Sequence, residues 1–183
     1  SDLGIGAATA RAVAAHGGIP VLVDCDAQPL ASVVSTCGDR ALSFVVDVSD
    51  LDAMQAMVDA VCGQLGRIDV VFANQLLPWI DNPGPVFAEI ARVLRNGGLF
   101  AFATLGPDSL QEIRKAWSEV DDNHHVNRFL DMHDLGDGLV NAGLRDPVLD
   151  VDRLAVQYDS SDALLRDLTA VGARNALQAR IGG

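Results

Sequence analysis

The sequence predicts an α/β protein whose mostly parallel sheet lies between two helical layers. Two observations carry this. Short apolar runs at residues 21–23, 42–46, 69–74 and 99–103 alternate with segments of helical period, and three of these runs end in Asp24, Asp47 and Asn74. Such alternation implies right-handed crossovers between parallel strands. With 183 residues, the chain has the length of about one domain.

The elements follow in order. Gly4 and Gly6 open an alanine-rich helix at residues 7–16, which Gly17-Gly18 stops. Residues 21–23 form a short buried strand running into Asp24, and a helix begins near Leu30. The strand at 42–46 leads to Asp47, and Asp50 caps a helix at 51–65. After the strand 69–74 come a helix at 85–94, its stop at Asn96-Gly97-Gly98 and a strand at 99–103. Helices are predicted at 109–120, 130–142 and 161–171, and residues 148–158 alternate like an exposed edge strand. Residues 78–85 are the only connection rich in Pro and Gly, read as a loop inside a single domain spanning 1–183, whose halves meet between Asn74 and Gln75.

Composition excludes several classes of function. The net charge is −12, with 9 acids against 3 bases through Asn74 and 16 against 10 after it, so neither half offers a basic face to nucleic acid. Apolar runs are too short to cross a bilayer and no basic-then-apolar leader opens the chain, which predicts a cytoplasmic protein without a membrane partner. Cys25, Cys37 and Cys62 are odd in number and far apart, as reduced thiols would be. His124, His125 and His133 with Asp131 and Asp134 lack the spacing of a zinc site, so no metal is expected. No serine or threonine sits in a nucleophile elbow. Oligomeric state is not legible.

Ser1-Asp2-Leu3-Gly4-Ile5-Gly6-Ala7-Ala8-Thr9-Ala10 resembles the cofactor loop of short-chain dehydrogenases, T-G-x-x-x-G-I-G, without its Thr-Gly and the preceding strand. The likeness extends to Asp24, to Asp47-Val48 and to Asn74, and covers about 74 residues. It implies a Rossmann-like, doubly wound sheet lacking its usual first strand. It also implies NAD as a cofactor, with Gly4 and Gly6 at the pyrophosphate, Asp24 at the ribose, Asp47 and Val48 by the adenine and Asn74 on the nicotinamide side. Strand-end acids are also ordinary caps, the reading preferred for Asp26. Asp24 would face the extra phosphate of NADP. The family's Tyr-x-x-x-Lys pair is missing: Tyr158 is followed by Asp159-Ser160-Ser161-Asp162, and the only lysine is Lys115.

From the strand at 69–74 onward the chain resembles a different family. Phe72 to Trp79, Val86 to Leu99, Thr104-Leu105-Gly106-Pro107-Asp108-Ser109-Leu110, Ala116-Trp117 and His125-Val126-Asn127-Arg128-Phe129-Leu130 look like class I S-adenosylmethionine methyltransferases. Within them, these motifs are similar to malonyl-acyl-carrier-protein O-methyltransferases of biotin synthesis. The resemblance implies S-adenosylmethionine as cofactor, a malonyl thioester on acyl carrier protein as partner, Arg128 as the substrate-carboxylate clamp, and Trp79 and Phe129 as walls of the transfer pocket. A surface Arg128 paired with Asp131 or Asp134 is the plainer alternative, and Trp79 and Phe129 could equally be core. Arg114 and Lys115 are candidates for a carrier-protein contact or a solvated helix face.

The two likenesses conflict at the loop of Gly4 and Gly6, which is of the dinucleotide kind where methyltransferases of this class place G-x-G-x-G after their first strand. Both families put the missing first strand at the centre of the sheet, so its loss predicts either a closed-up sheet, with residues 21–23 pairing with 70–73, or a piece of a longer chain. Three functions follow: a carboxyl methyltransferase with impaired turnover, an NAD-binding module without turnover, or a hybrid or truncated scaffold that binds neither cofactor well.

Overall fold

Short apolar runs become strands, and alanine- and leucine-rich segments become helices, in the computed structural model, which describes residues 4–47, 50–121 and 126–170. The chain divides after Asn74, giving one unit of Ser1–Asn74 with Arg92–Ala101 and another of Gln75–Ala91 with Phe102–Gly183. The architecture is α/β, with parallel strands in two small sheets and helices of the Rossmann-like kind.

In the first unit, helix α1 (Ile5–Ala15) starts at Gly4 without a side-chain cap and ends before Gly17, whose φ of 82° reverses the chain. Its small residues let it approach closely: Ala10 is buried with Val33 and Cys37, and Ala7, Ala14, Leu22 and Ala41 pack around them. Strand β1 (Val21–Asp24) leads into helix α2 (Ala27–Ser35), capped by the Asp26 carboxylate, which accepts from the Gln28 N–H at 3.1 Å. Strand β2 (Leu42–Val45) pairs in parallel with β1, Val21 opposite Leu42 and Asp24 opposite Val45. Helix α3 (Leu51–Leu65) is capped by Asp50, which accepts from Ala53 N–H at 3.0 Å, and closes on left-handed Gly66.

Strand β3 (Ile68–Asn74) pairs with β4 (Leu94–Ala103) in a second two-stranded ladder. A Cβ on Gly98 would lie 3.1 Å from the Asp69 carbonyl and 3.0 Å from that of Arg95, so only glycine permits the strands to approach there. Past the strand ends, the Gln75 N–H donates to the Ala103 carbonyl at 2.8 Å, so both strands run the same way. The stop predicted at Asn96-Gly97-Gly98 is therefore wrong: those residues lie inside β4, which starts at Leu94. Arg95 pairs with Asp69, and this cross-strand contact together with the Gly98 approach outweighs the local turn preference.

The predicted closure of the sheet is also overturned. Among the described residues no ladder joins β1 to β3; the order is β1-β2 and, separately, β3-β4. Each ladder is held by nearby helices, α2 packing on β1 and β2 and α3 on β3. A direct β1–β3 pairing would have no adjacent crossover to set its register, and local packing wins.

The second unit is helical among its described residues. It contains a 3₁₀ turn (Leu77–Trp79), α4 (Gly84–Val93), α5 (Gln111–Ser118), α6 (Met132–Asn141) and α7 (Ser161–Ala170). Phe87 of α4 is 0% exposed, and its ring lies where a Cβ on Gly138 would stand, 3.2 Å away, so α4 and α6 meet through the missing side chain. Leu135 and Leu139 complete the buried face of α6. The edge strand predicted at 148–158 does not form, and Val148 is 92% exposed. Alternation produces a strand only beside an open ladder, and among the described residues this unit supplies none.

Candidate functional site

The side chains singled out from sequence fall in both units. In the first, Asp24 ends β1, and its backbone carbonyl accepts from the Val46 N–H at 3.0 Å, which brings Asp47 to the same carboxyl end of the ladder. Asp24 is exposed; its Oδ1 accepts from the Asp26 N–H at 3.0 Å. Asp47 is exposed and its carbonyl closes a turn with the Asp50 N–H at 2.9 Å. Asn74 closes β3, in the other ladder, half-buried. Val48 lies outside the described residues, as do His124 and His125.

The donor chemistry here fits part of an adenosyl cofactor. A strand-end carboxylate such as Asp24 suits the ribose hydroxyls, which need acceptors. The glycine pair is less specific. Gly4 has φ −66° and ψ 153°, and a Cβ on Gly6 would meet nothing within 4 Å, so no wall there demands glycine. Among the described residues, Asp24 offers an acceptor at the strand end, and nothing around Gly6 forms a cradle that a Cβ would fill.

In the second unit three segments surround a cleft of about 230 Å³. The turn contributes Leu77, Pro78, Ile80 and Asp81; the loop after β4 contributes Thr104 and Leu105; and Asn127 to Leu130 close it over Leu135 of α6. Two side chains hold the walls together. Asn127 Nδ2 donates to the Pro78 carbonyl at 3.0 Å. Arg114 donates to the carbonyls of Pro107 at 3.3 Å and Ser109 at 3.4 Å, and its guanidinium lies 6.0 Å from the Phe129 ring centroid. Arg114 is thereby engaged in the fold, while Lys115 stays on the exposed face of α5.

Arg128 and Phe129 both line the cleft. Phe129 is 8% exposed, core and wall at once. Arg128 is exposed and, among the described residues, makes no hydrogen bond or ion pair. The pairing with Asp131 or Asp134 weighed from sequence is absent. Asp131 instead caps α6, accepting from the N–H groups of His133 at 2.8 Å and Asp134 at 2.9 Å. Those backbone bonds, that from Asp134 foremost, hold its carboxyl below the usual range. Trp79 is 48% exposed and not part of the cleft lining, although its neighbours Pro78 and Ile80 are.

Asp81, Asn127, Thr104 and Leu105 were not singled out individually from the sequence. Asn127, Thr104 and Leu105 sit inside the quoted methyltransferase motifs, whereas Asp81 belongs to a connecting loop with no local signal. Burial raises the Tyr158 phenol, helped by the Asp167 carboxylate, the opposite of what an adjacent lysine would do. Among the described residues no group of three or more His, Cys, Asp and Glu could hold a metal ion, and no helix is long and apolar enough to cross a membrane.

Fold and site together describe an α/β protein with acids at its strand ends and, in the second unit, a cleft of about 230 Å³ lined by an arginine, and comparison with known proteins gives two likenesses. Residues 1–82 match the short chain dehydrogenase family. The chain is also 50% identical over 115 residues to the malonyl-[acyl-carrier protein] O-methyltransferase of Laribacter hongkongensis, covering 63% of this chain and 39% of that protein. It is 47% identical over 114 residues to the protein of that name in Nitrosospira multiformis, covering 62% and 37%. For the Gallionella capsiferriformans protein of the same name the identity is 42% over 125 residues, covering 68% and 43%. The chain is a hybrid of these two likenesses, and it spans about two fifths of the length of the curated relatives it matches.

Proposed function

We propose that this chain is a carboxyl O-methyltransferase of the malonyl-thioester type, with acyl carrier protein as the bearer of its substrate. The observation that carries the reading is Arg128, unpaired among the described residues at an apolar-walled cleft of about 230 Å³. Relatives 42–50% identical to the chain bear the corresponding name.

A malonyl carboxylate is ionised at neutral pH, since carboxylic acids titrate at about 4, so no general base is needed. S-adenosylmethionine, when bound, supplies an electrophilic methyl group. The chain's own part is to hold and dry the acceptor. Arg128 would present its planar fork to both carboxylate oxygens. Phe129, Leu130 and Leu135 would strip water from the acid while leaving it charged. Asp24 would take the ribose hydroxyls, with Gly4, Gly6, Asp47, Val48 and Asn74 as the further cofactor contacts and Trp79 beside the turn that walls the cleft. Such a protein would work in the cytoplasm.

A second reading, an NAD-binding module without turnover, is favoured by the short chain dehydrogenase match over residues 1–82. Its lack of turnover follows from the missing Tyr-x-x-x-Lys pair, since Tyr158 is followed by Asp159-Ser160-Ser161-Asp162 and the only lysine is Lys115. Calorimetry with S-adenosylhomocysteine and with NAD separates the two: heat with S-adenosylhomocysteine alone is expected, and heat with NAD alone would eliminate methyl transfer. Arg128→Ala should weaken malonyl-thioester binding about ten- to a hundredfold, the loss of a charge-assisted hydrogen bond worth roughly 1.5–3 kcal/mol. Unchanged binding would remove Arg128 from the site.

A further inference from the structure

We propose that Arg114 is a positioning residue of the Arg128 cleft: by joining the loop at residues 107–109 to the ring of Phe129, it fixes the wall that carries Arg128 before an acid arrives. The inference rests on the carboxylate-binding reading of Arg128.

Arg114 is not part of the cleft lining, so it acts through residues that are. Its backbone N–H donates to the Leu110 carbonyl at 3.0 Å, while its guanidinium reaches back to the preceding loop, donating to Pro107 O at 3.3 Å and Ser109 O at 3.4 Å. That loop leaves the cleft wall after Thr104 and Leu105 and enters α5 through Leu110, whose φ of 57° is a left-handed conformation that strains a leucine. Such a turn persists only where its surroundings hold it. The same guanidinium lies 6.0 Å from the ring centroid of Phe129, within the range of a cation–π contact. Phe129 is buried and stands between Arg128 and Leu130, both in the lining.

The three wall segments thus meet through two side chains. Asn127 joins residues 127–130 to the turn before the cleft, and Arg114 joins them to the loop after β4. Helix α5 contributes no buried side chain among the described residues, which separates this role from one in core packing. Arginine alone meets both demands, with a planar fork for two carbonyls and a delocalised face for the ring; lysine keeps the charge near the ring and bonds one carbonyl at a time. Without the tie the wall samples other positions, and apparent affinity falls with the fraction that stays competent. The ring contact supports about two- to fivefold and the two long carbonyl bonds a similar factor, so a loss of roughly five- to tenfold is expected.

The test is ligand-observed NMR titration of the full chain with the half-ester monomethyl malonate at neutral pH, alongside thermal midpoints. The proteins are wild type, Arg114→Met, Arg114→Lys, Phe129→Leu, the Arg114→Met/Phe129→Leu pair and Arg128→Ala. Arg114→Met keeps the apolar stem and should weaken the half-ester about five- to tenfold with a midpoint within about 6 °C of wild type, and Arg114→Lys should recover part of the loss. In the Phe129→Leu background the Arg114→Met loss should shrink to about threefold or less, because the ring through which it acts is gone. Arg128→Ala should lose the ligand. Unchanged affinity in Arg114→Met, a loss of equal size in both backgrounds, no recovery in Arg114→Lys, or a midpoint lowered beyond that limit overturns the role of Arg114, while the Arg128 reading stands as long as Arg128→Ala abolishes binding. Absence of binding to wild type, or binding unchanged in Arg128→Ala, overturns both. If Arg114→Met fails to fold, Arg114→Gln, which keeps a donor for one carbonyl but no charge for the ring, is read by the same criteria.

Discussion

Replacing Phe87 with alanine removes the one side chain that, among the described residues, is wholly enclosed in the second unit, and the ring against which Gly138 closes. The loss combines the transfer free energy of a fully buried phenyl with a cavity that α6 cannot fill, because Gly138 has no side chain to advance; such changes cost about 3–5 kcal/mol. For a chain of this size each kcal/mol moves the midpoint by roughly 2–4 °C, so a drop of about 6–20 °C is expected in thermal unfolding followed by circular dichroism. The effect should reach the cleft, since Leu135 stands three residues before Gly138 on the same face of α6 and lines it. Half-ester affinity should therefore fall along with stability, although Phe87 itself is not part of the lining. Gly138→Ala is the counterpart. Its Cβ would stand 3.2 and 3.3 Å from two ring carbons, and the helix-propensity gain of about 1 kcal/mol should be spent on moving that ring, leaving the midpoint near wild type. A midpoint for Phe87→Ala within about 2 °C of wild type would refute the packing argument for the α4–α6 contact.

Two further outcomes are expected. Asn127→Leu keeps the volume and removes the donor to Pro78 O, so it should weaken half-ester binding severalfold, whereas Asn127→His, which can donate from Nδ1, should recover much of it; equal affinities in the two variants would show that the tie does not position Arg128. Asp131 has a carboxyl lowered by backbone N–H bonds, so its capping of α6 is fully present above the ordinary value of 3.8 and is lost as pH falls through the lowered folded value. Asp131→Asn should flatten that part of the acid limb in pH-dependent melts, and an unaltered limb would count against the cap.

The sequence by itself determined the element order and the helix caps. Asp50 and Asp26 cap helices where a polar side chain precedes an apolar period, because capping depends on residues two or three positions apart. By the same locality, the motif around Arg128 was readable as a contiguous run. Tertiary structure decided whatever depends on contacts between distant residues. It drew Asn96-Gly97-Gly98 into β4 through Asp69, left β1 and β3 in separate ladders, and left residues 148–158 without an edge to join. It also brought Asn127 onto the carbonyl of Pro78, 49 positions away, so that residues 127–130 and the turn before Asp81 line one cleft, which no periodicity or spacing encodes.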